Sequence, residues 1–343
     1  MQGFASSLQE WRELYQAATE FKKIGCWNWM SDTELLGVQN PVSGMIGYCC
    51  IMGELKEMLG LVVYLGTEGL AGYLKIQSED LSSDAIDFLH DQKCLTATFE
   101  SRKYLREPDL EVIRRLGLKF KGHQEWPLFR NYQPGYLPWY LNRDEVIHLT
   151  TTLPQVMEVA LRVKENKDLL VSPNKNHHLV RVPEKVGEAM TWRDEWREPS
   201  PVETVEYNVP PVDELHLQRI KKTISRHQGT WEIDRFHSPG VVDEGRRPYF
   251  PYVFLWVDHD TGLVLNVRVA ELSNYQTDFQ NQFIGLAEKL KFLPNEIWFQ
   301  NVEPFRLLEP IATRLEIKLK RVHKLPALEK VRNHLYSFLN QPK

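Results

Sequence analysis

Residues 250–271 read FPYVFLWVDHDTGLVLNVRVAE. An unbroken apolar run ends at Asp258-His259-Asp260, turns at Thr261-Gly262, and leaves as an alternating strand. A strand that is apolar at successive positions is covered on both faces, so this run belongs at the centre of a sheet. A carboxylate at the end of such a strand is where nucleotidyl-transfer chemistry holds metal ions. Asp260, two residues on, shares the face of Asp258 if the strand continues. Hard cations such as Mg²⁺ or Mn²⁺ take oxygen ligands of this kind. The same residues also spell an ordinary hairpin turn, because Asp tolerates the turn backbone and Gly supplies positive φ.

Working outward, residues 231–236 suggest a further strand before the hairpin, and Asp213 caps a basic helix through Arg226. After the hairpin come a helix over 278–290, a strand over 296–299, a helix over 305–315, a strand over 317–322 and a helix over 327–339. This order predicts an α/β C-terminal domain with a mixed sheet. The N-terminal half reads differently. A helix over 7–23 with Ser7 as N-cap precedes strands over 35–39, 45–52 and 58–65, the first two joined by the turn NPVSG. A helix begins at Thr67. Further on lie a helix over 83–90, a strand over 94–100, a helix over 109–116 ending at Gly117, a long helix over 143–165 and a last strand over 179–182. That pattern is an α+β domain, an antiparallel meander flanked by helices. Between the halves, EPSPVETVEYNVPPV holds four prolines. The expected layout is therefore a domain over 1–197, a linker over 198–212 and a domain over 213–343.

The chain has 343 residues, 42% of them apolar and 11% aromatic, enough for two cores. A formal charge of -4 gives no general drive toward nucleic acid. No apolar run approaches the roughly 20 residues of a membrane helix, and the N-terminus lacks a signal-peptide pattern. Four cysteines without metal-ligand spacing read as reduced, buried thiols, with Cys49 and Cys50 pointing to opposite faces of a strand. The expectation is a cytoplasmic protein with no membrane partner and no cofactor.

Residues 229–339 resemble the ribonuclease H-like fold of nucleases and integrases. In that family the first strand carries one carboxylate, the next parallel strand ends near a second, and the last helix carries a third. The resemblance places the first at Asp258, the second at Gln300-Asn301 and the third at Glu329. It implies a metal-dependent nuclease or phosphoryl-transfer enzyme using Asp258, Asp260 and Glu329. The whole chain also resembles a family of uncharacterised bacterial two-domain proteins, both halves being domains of unknown function. The segments GVQNP (37–41), IGYCCIMG (46–53), YLGTEGLAGY (64–73), WPLFRNYQPGYLPWYL (126–141), VDHDTGLVL (257–265) and LPALEKV (325–331) carry it.

Two further features compete for function. Gly66, Gly69 and Gly72 follow a strand and open a helix, but without the spacing of a dinucleotide loop or a Walker lysine. Glycines three apart share a helical face and permit close packing. Residues 126–140 are the densest aromatic stretch. Trp126, Phe129, Tyr132, Tyr136, Trp139 and Tyr140, with Arg130, form a candidate stacking platform or groove. The basic runs over 219–226 and 318–324 read as solvated helix or strand faces. The preferred expectation is a non-catalytic binding protein that takes a protein or small-molecule partner at the aromatic segment or the domain interface. The metal-dependent enzyme is the alternative.

Overall fold

A computed structural model describes residues 6–78, 91–201, 209–271 and 275–339. The expected helix over 83–90 and the middle of the expected linker fall outside these residues. The chain divides into two compact units, Met1–Pro134 with Pro138–Glu203 and Gly135–Leu137 with Thr204–Lys343.

The first unit opens with α1 (Leu8–Ile24). Ser7 Oγ accepts from Glu10 N at 3.2 Å and the Glu10 carboxylate accepts from Ser7 N at 2.7 Å, a reciprocal box that satisfies two orphan amides. The helix stops at Gly25 in the left-handed region, φ 64°. Strands β1 (Leu35–Gln39), β2 (Ile46–Met52) and β3 (Leu59–Leu65) form the expected meander. After them come α2 (Gly66–Gln77), β4 (Cys94–Glu100), α3 (Glu107–Arg115), β5 (Trp126–Tyr132), α4 (Arg143–Glu165), β6 (His178–Val186) and β7 (Ala189–Arg197). The sheet order is β5-β4-β3-β2-β1-β6-β7, antiparallel except where β1 runs parallel to β6.

Alternation along the strands makes two cores. Leu36, Val38, Cys49, Ile51, Leu61, Val63, Leu95 and Phe99 pack against α1 and α4. On the other face Tyr48, Cys50, Val62, Tyr64 and Cys94 pack against Leu70 and Tyr73 of α2. Cys49 and Cys50 therefore diverge, as expected. All four cysteines are free and buried. Burial pushes the thiols of Cys26, Cys50 and Cys94 up to about 12, far from thiolate formation at neutral pH.

Two strands depart from the expectation. Residues 126–132, the start of the aromatic stretch and not assigned to a strand from the sequence, form β5, which pairs with β4 along its whole length. It is an edge strand, so Pro127 is tolerated in it. The expected strand over 179–182 extends to His178–Val186 and turns into β7, which was not expected. In AMTWRDEWR the apolar alternation of Met190, Trp192 and Trp196 is broken by Asp194, and Trp192 and Trp196 pack against the first core. Asp194 on it accepts from Arg181 at 2.7 Å and from Arg162 of α4 at 2.5 Å.

In the second unit, α5 (Glu214–Thr223) is capped by Asp213, whose carboxylate accepts from His216 N at 3.0 Å. Then follow β8 (Thr230–His237), β9 (Tyr252–Asp258), β10 (Val264–Ala270), α6 (Tyr275–Leu290), β11 (Glu296–Phe299), α7 (Val302–Arg314), β12 (Lys318–Arg321) and α8 (Pro326–Leu339). The sheet order is β10-β9-β8-β11-β12. The first three strands are antiparallel, and β11 runs parallel to both β8 and β12. This is the ribonuclease H-like order, with β8 supplying the strand expected at 231–236. Trp231, Ile233, Phe254, Trp256, Ile297 and Phe299 face α5, α6 and α7, while Phe236, Val253, Leu255 and Val257 face Leu328 and Tyr336 of α8.

His148 generates a pH dependence. It sits inside α4 at 4% exposure, and its Nε2 finds no hydrogen-bond partner. Burial lowers its pKa from 6.5 to about 4. The unfolded chain therefore binds a proton below about pH 6.5 that the folded chain refuses until about pH 4. Its contribution to stability is complete above the unfolded value and is lost as pH falls through this window. We expect a loss of about 2–3 kcal/mol between pH 7 and 4.5 from this group. Urea unfolding of the protein and of His148→Leu across that range should show a flatter curve for the variant. Parallel curves would remove His148 as the cause.

Candidate functional site

In open α/β sheets ligands collect at the carboxyl ends of parallel strands, where the strand order reverses. In the second unit that place lies between β8 and β11. Their register pairs Trp298 with Glu232, so Gln300, just past the end of β11, comes level with Asp234. Asp234 is buried, and both its oxygens are engaged. Oδ1 accepts from Arg235 N at 2.8 Å and Asn301 Nδ2 at 3.0 Å, and Oδ2 accepts from Gln300 N and Asn301 N, each at 3.1 Å. Burial pushes its pKa above the usual carboxylate value, and the four hydrogen bonds oppose that rise.

Glu232 lies two residues earlier on the same face, fully buried. Its Oε2 accepts from Leu328 N in the first turn of α8 at 2.7 Å. Its Oε1 lies 2.5 Å from Nδ1 of His259, whose ring lies tilted at 52° against Trp298 with centroids 4.4 Å apart. On the opposite face of β8, Arg235 pairs with Glu303 at 2.5 Å and lies over the Tyr252 ring at 4.2 Å. Tyr275 donates to the same Glu303. Burial and that carboxylate both raise the Tyr275 pKa, so it remains a neutral donor.

The first strand of this sheet in chain order is β8, which carries Glu232 and Asp234, while Asp258 ends the second, β9. The signal was present in WEIDRF, where two acids alternate within an apolar strand. Asp258 pairs with Trp231 at the opposite end of β8. There its Oδ1 accepts from Thr261 N at 2.9 Å and Thr261 Oγ1 at 2.7 Å, which closes the turn. Asp260 is an exposed turn residue, and Glu329 lies in the first turn of α8. Among the described residues no three His, Cys, Asp or Glu side chains are grouped to hold a metal ion.

The seven residues of the aromatic segment do not share one surface. Phe129 is in the core. Arg130 is buried and makes a bidentate pair with Asp109 at 2.8 and 2.7 Å, with its guanidinium 4.9 Å from the Tyr140 ring. Trp139 and Tyr140 pack edge to face at 5.1 Å, and Asn131 bonds to the Trp139 backbone in both directions. Tyr132 packs against the α2-side core. Tyr136 belongs to the second unit, beside Tyr249 and Arg247. Trp126 lines a groove of about 450 Å³. Leu110, Ile113, Leu118 and Phe120 share its apolar lining, with Phe120 and Trp126 5.8 Å apart. Arg102, Arg114, Lys119 and Lys121 also line it. Arg114 pairs with Glu107, while the other three have no carboxylate partner among the described residues. The sequence drew attention to Trp126 but not to the helix-and-loop cations folded around it.

Two domains of unknown function make up the chain. Residues 11–181 match the model of the domain of unknown function DUF7309, and residues 216–336 match that of the domain of unknown function DUF6930. No curated protein matches. Among solved structures, the HTLV-2 integrase catalytic core domain in complex with magnesium is 18% identical over 34% of this chain and 78% of its own, at a TM-score of 0.24. The simian T-cell lymphotropic virus intasome in complex with PP2A regulatory subunit B56 gamma is 15% identical over 34% of this chain and 45% of its own, also at 0.24.

Removing the Asp234 carboxylate leaves several buried donors unpaired. Asp234→Ala should therefore cost about 3 kcal/mol or more. Asp258→Asn touches only a turn and should cost about 1 kcal/mol or less. Chemical denaturation of the two variants checks this ranking, and a larger loss for Asp258→Asn would contradict it.

Proposed function

We propose that this is a non-catalytic binding protein of the bacterial cytoplasm, whose partner seats on the groove at Trp126. The observation that carries the reading is the pairing of an apolar floor with three cations that have no carboxylate partner among the described residues. A tryptophan beside arginine and lysine side chains is the composition of binding hot spots, where a ring supplies contact area and cations select the partner. Such a groove suits an anionic partner that brings an apolar group of its own. The net charge of the chain is negative, so the attraction is local to this groove.

In this reading the ribonuclease H-like unit serves as a scaffold. Its support is the chemistry of the position where that fold gathers carboxylates. There Asp234 spends its lone pairs on four N–H donors, and its neighbours Gln300 and Asn301 are amides. The phosphoryl-transfer alternative has no comparable support from Asp258, Asp260 and Glu329. A cytoplasmic setting fits the four free, buried cysteines, and among the described residues no helix is long and apolar enough to cross a membrane.

Affinity capture from the native host tests the proposal. Wild type should retain a partner that Trp126→Ala loses, with affinity lower by about 30-fold, the usual effect of truncating a hot-spot tryptophan. The double variant Lys119→Glu, Lys121→Glu should lose it too, and raised salt should weaken it. Recovery of the same proteins by all three forms would refute the groove as the binding surface.

A further inference from the structure

Among the described residues the two sheets have four edge strands, β5 and β7 in the first unit and β10 and β12 in the second. An edge offers unpaired backbone N–H and C=O groups to any other strand, and folded proteins blunt it with charge, proline or cover. Three of the four are blunted. β5 carries Pro127, and Asn131 exchanges backbone hydrogen bonds with Trp139 beside it. β7 carries Arg193, Asp194, Glu195 and Arg197, and β12 carries Lys318, Lys320 and Arg321. β10 reads VLNVRVA, with no proline, no lysine and one charge, Arg268. Among the described residues no backbone group pairs with its outer edge.

The side chains of β10 add an apolar stripe to that open backbone. Val264, Val267 and Val269 stand opposite Val257, Leu255 and Val253 of β9, so all three lie on the α8 face of the sheet. A register shift at Leu265 brings Val264 round to that face. Leu328 and Tyr336 of α8 cover the apolar residues of β8 and β9 there. The three valines lie one strand further out and are 42–57% exposed. On the other face, Asn266 Nδ2 donates to Gln282 of α6 at 3.2 Å, and its Oδ1 has no partner among the described residues. Arg268 likewise has no acceptor among them.

This edge is complementary to itself. When two copies of β10 run antiparallel about a two-fold axis through Val267, Val267 faces its own counterpart. Val269 then comes level with Val264 and Leu265 of the other copy, so the valines of both copies form one stripe. Arg268 stands opposite Asn266, whose Oδ1 is the acceptor it lacks. Moving the axis to Arg268 would instead set two guanidinium groups against each other. A two-fold contact of this kind uses up both edges and closes. We propose that the chain forms a homodimer in which β10 of two copies pair antiparallel about Val267, joining the two five-stranded sheets into one. The surface is separate from the Trp126 groove, and either can fail without the other.

The test is sedimentation velocity on the full chain over a range of concentrations. Wild type should dimerise with a Kd of about 10 μM or tighter. Val267→Lys puts two ammonium groups opposite each other on the axis and should weaken the dimer about tenfold or more. Its thermal melt should be little changed, because position 267 is about half exposed. Val267→Cys should cross-link two chains under mild oxidation, since the axis brings the two thiols face to face. Leu215→Cys, exposed on α5, should not, and the four native cysteines are buried. A chain that stays monomeric to about 200 μM would leave the edge to a strand of another protein or to solvent, and would overturn the assignment. So would a dimer that Val267→Lys leaves intact, or one that Val267→Cys does not lock.

Discussion

Glu232 and Asp234 lie two residues apart on the central strand of the second unit, and each must find donors for both carboxylate oxygens. An ionised carboxylate taken out of water costs several kcal/mol unless hydrogen bonds replace its hydration. The donors that meet this demand come from three different connections. Leu328 N belongs to the start of α8, Gln300 N and Asn301 N to the turn between β11 and α7, and His259 to the turn after β9. Where those two carboxylates sit therefore dictates where α7 and α8 begin. The apolar faces of β8 and β9 supply most of the burial energy, but they are indifferent to small shifts along the strand. The carboxylates are not, since each bond is lost if its donor moves by about an ångström.

The first unit solves the equivalent problem with cations. Arg130 on β5 is buried against Asp109 of α3 in a two-pronged pair. Arg181 on β6 reaches Glu158 and Gln155 of α4 and Asp194 of β7. The planar guanidinium can hold several acceptors in fixed directions, so one residue locks two or three elements together. Both units thus use charge at sheet positions that apolar packing alone would leave free to slide.

Where structure depends on local pattern, it was legible in the sequence. The capping residues Ser7 and Asp213 and the hairpin around Thr261-Gly262 all stand where their chemistry placed them. So does the strand order that makes the second unit ribonuclease H-like. Strand β7 was hard to see because Asp194 interrupts its apolar face, and the partners of that carboxylate, Arg162 and Arg181, are distant in sequence. The role of β5 was hidden by Pro127 and its rings, which carry no clear strand pattern. The candidate sites were only partly legible. Asp258 drew notice because it ends an apolar run, yet it serves its own turn. Asp234 sits mid-strand, and only the parallel pairing with β11 brings Gln300 and Asn301 to it. The groove at Trp126 is local in sequence, lined by residues between Arg102 and Trp126, yet its side chains converge only once helix and loop have folded.

The parallel pairing of β1 with β6 has a consequence during synthesis. Gly37 meets Val180 and Val38 meets Arg181, whereas β1 to β5 form a meander of sequential neighbours. A ribosome releases β1 to β5 well before β6 appears, and closing so long a loop is a late and slow event. Until then β1 presents one unpaired edge carrying Leu35, Leu36 and Val38. An open apolar edge is a template for pairing with another chain. The nascent protein thus passes through a stage in which its most exposed liability is a strand that ends up buried in the middle of the sheet.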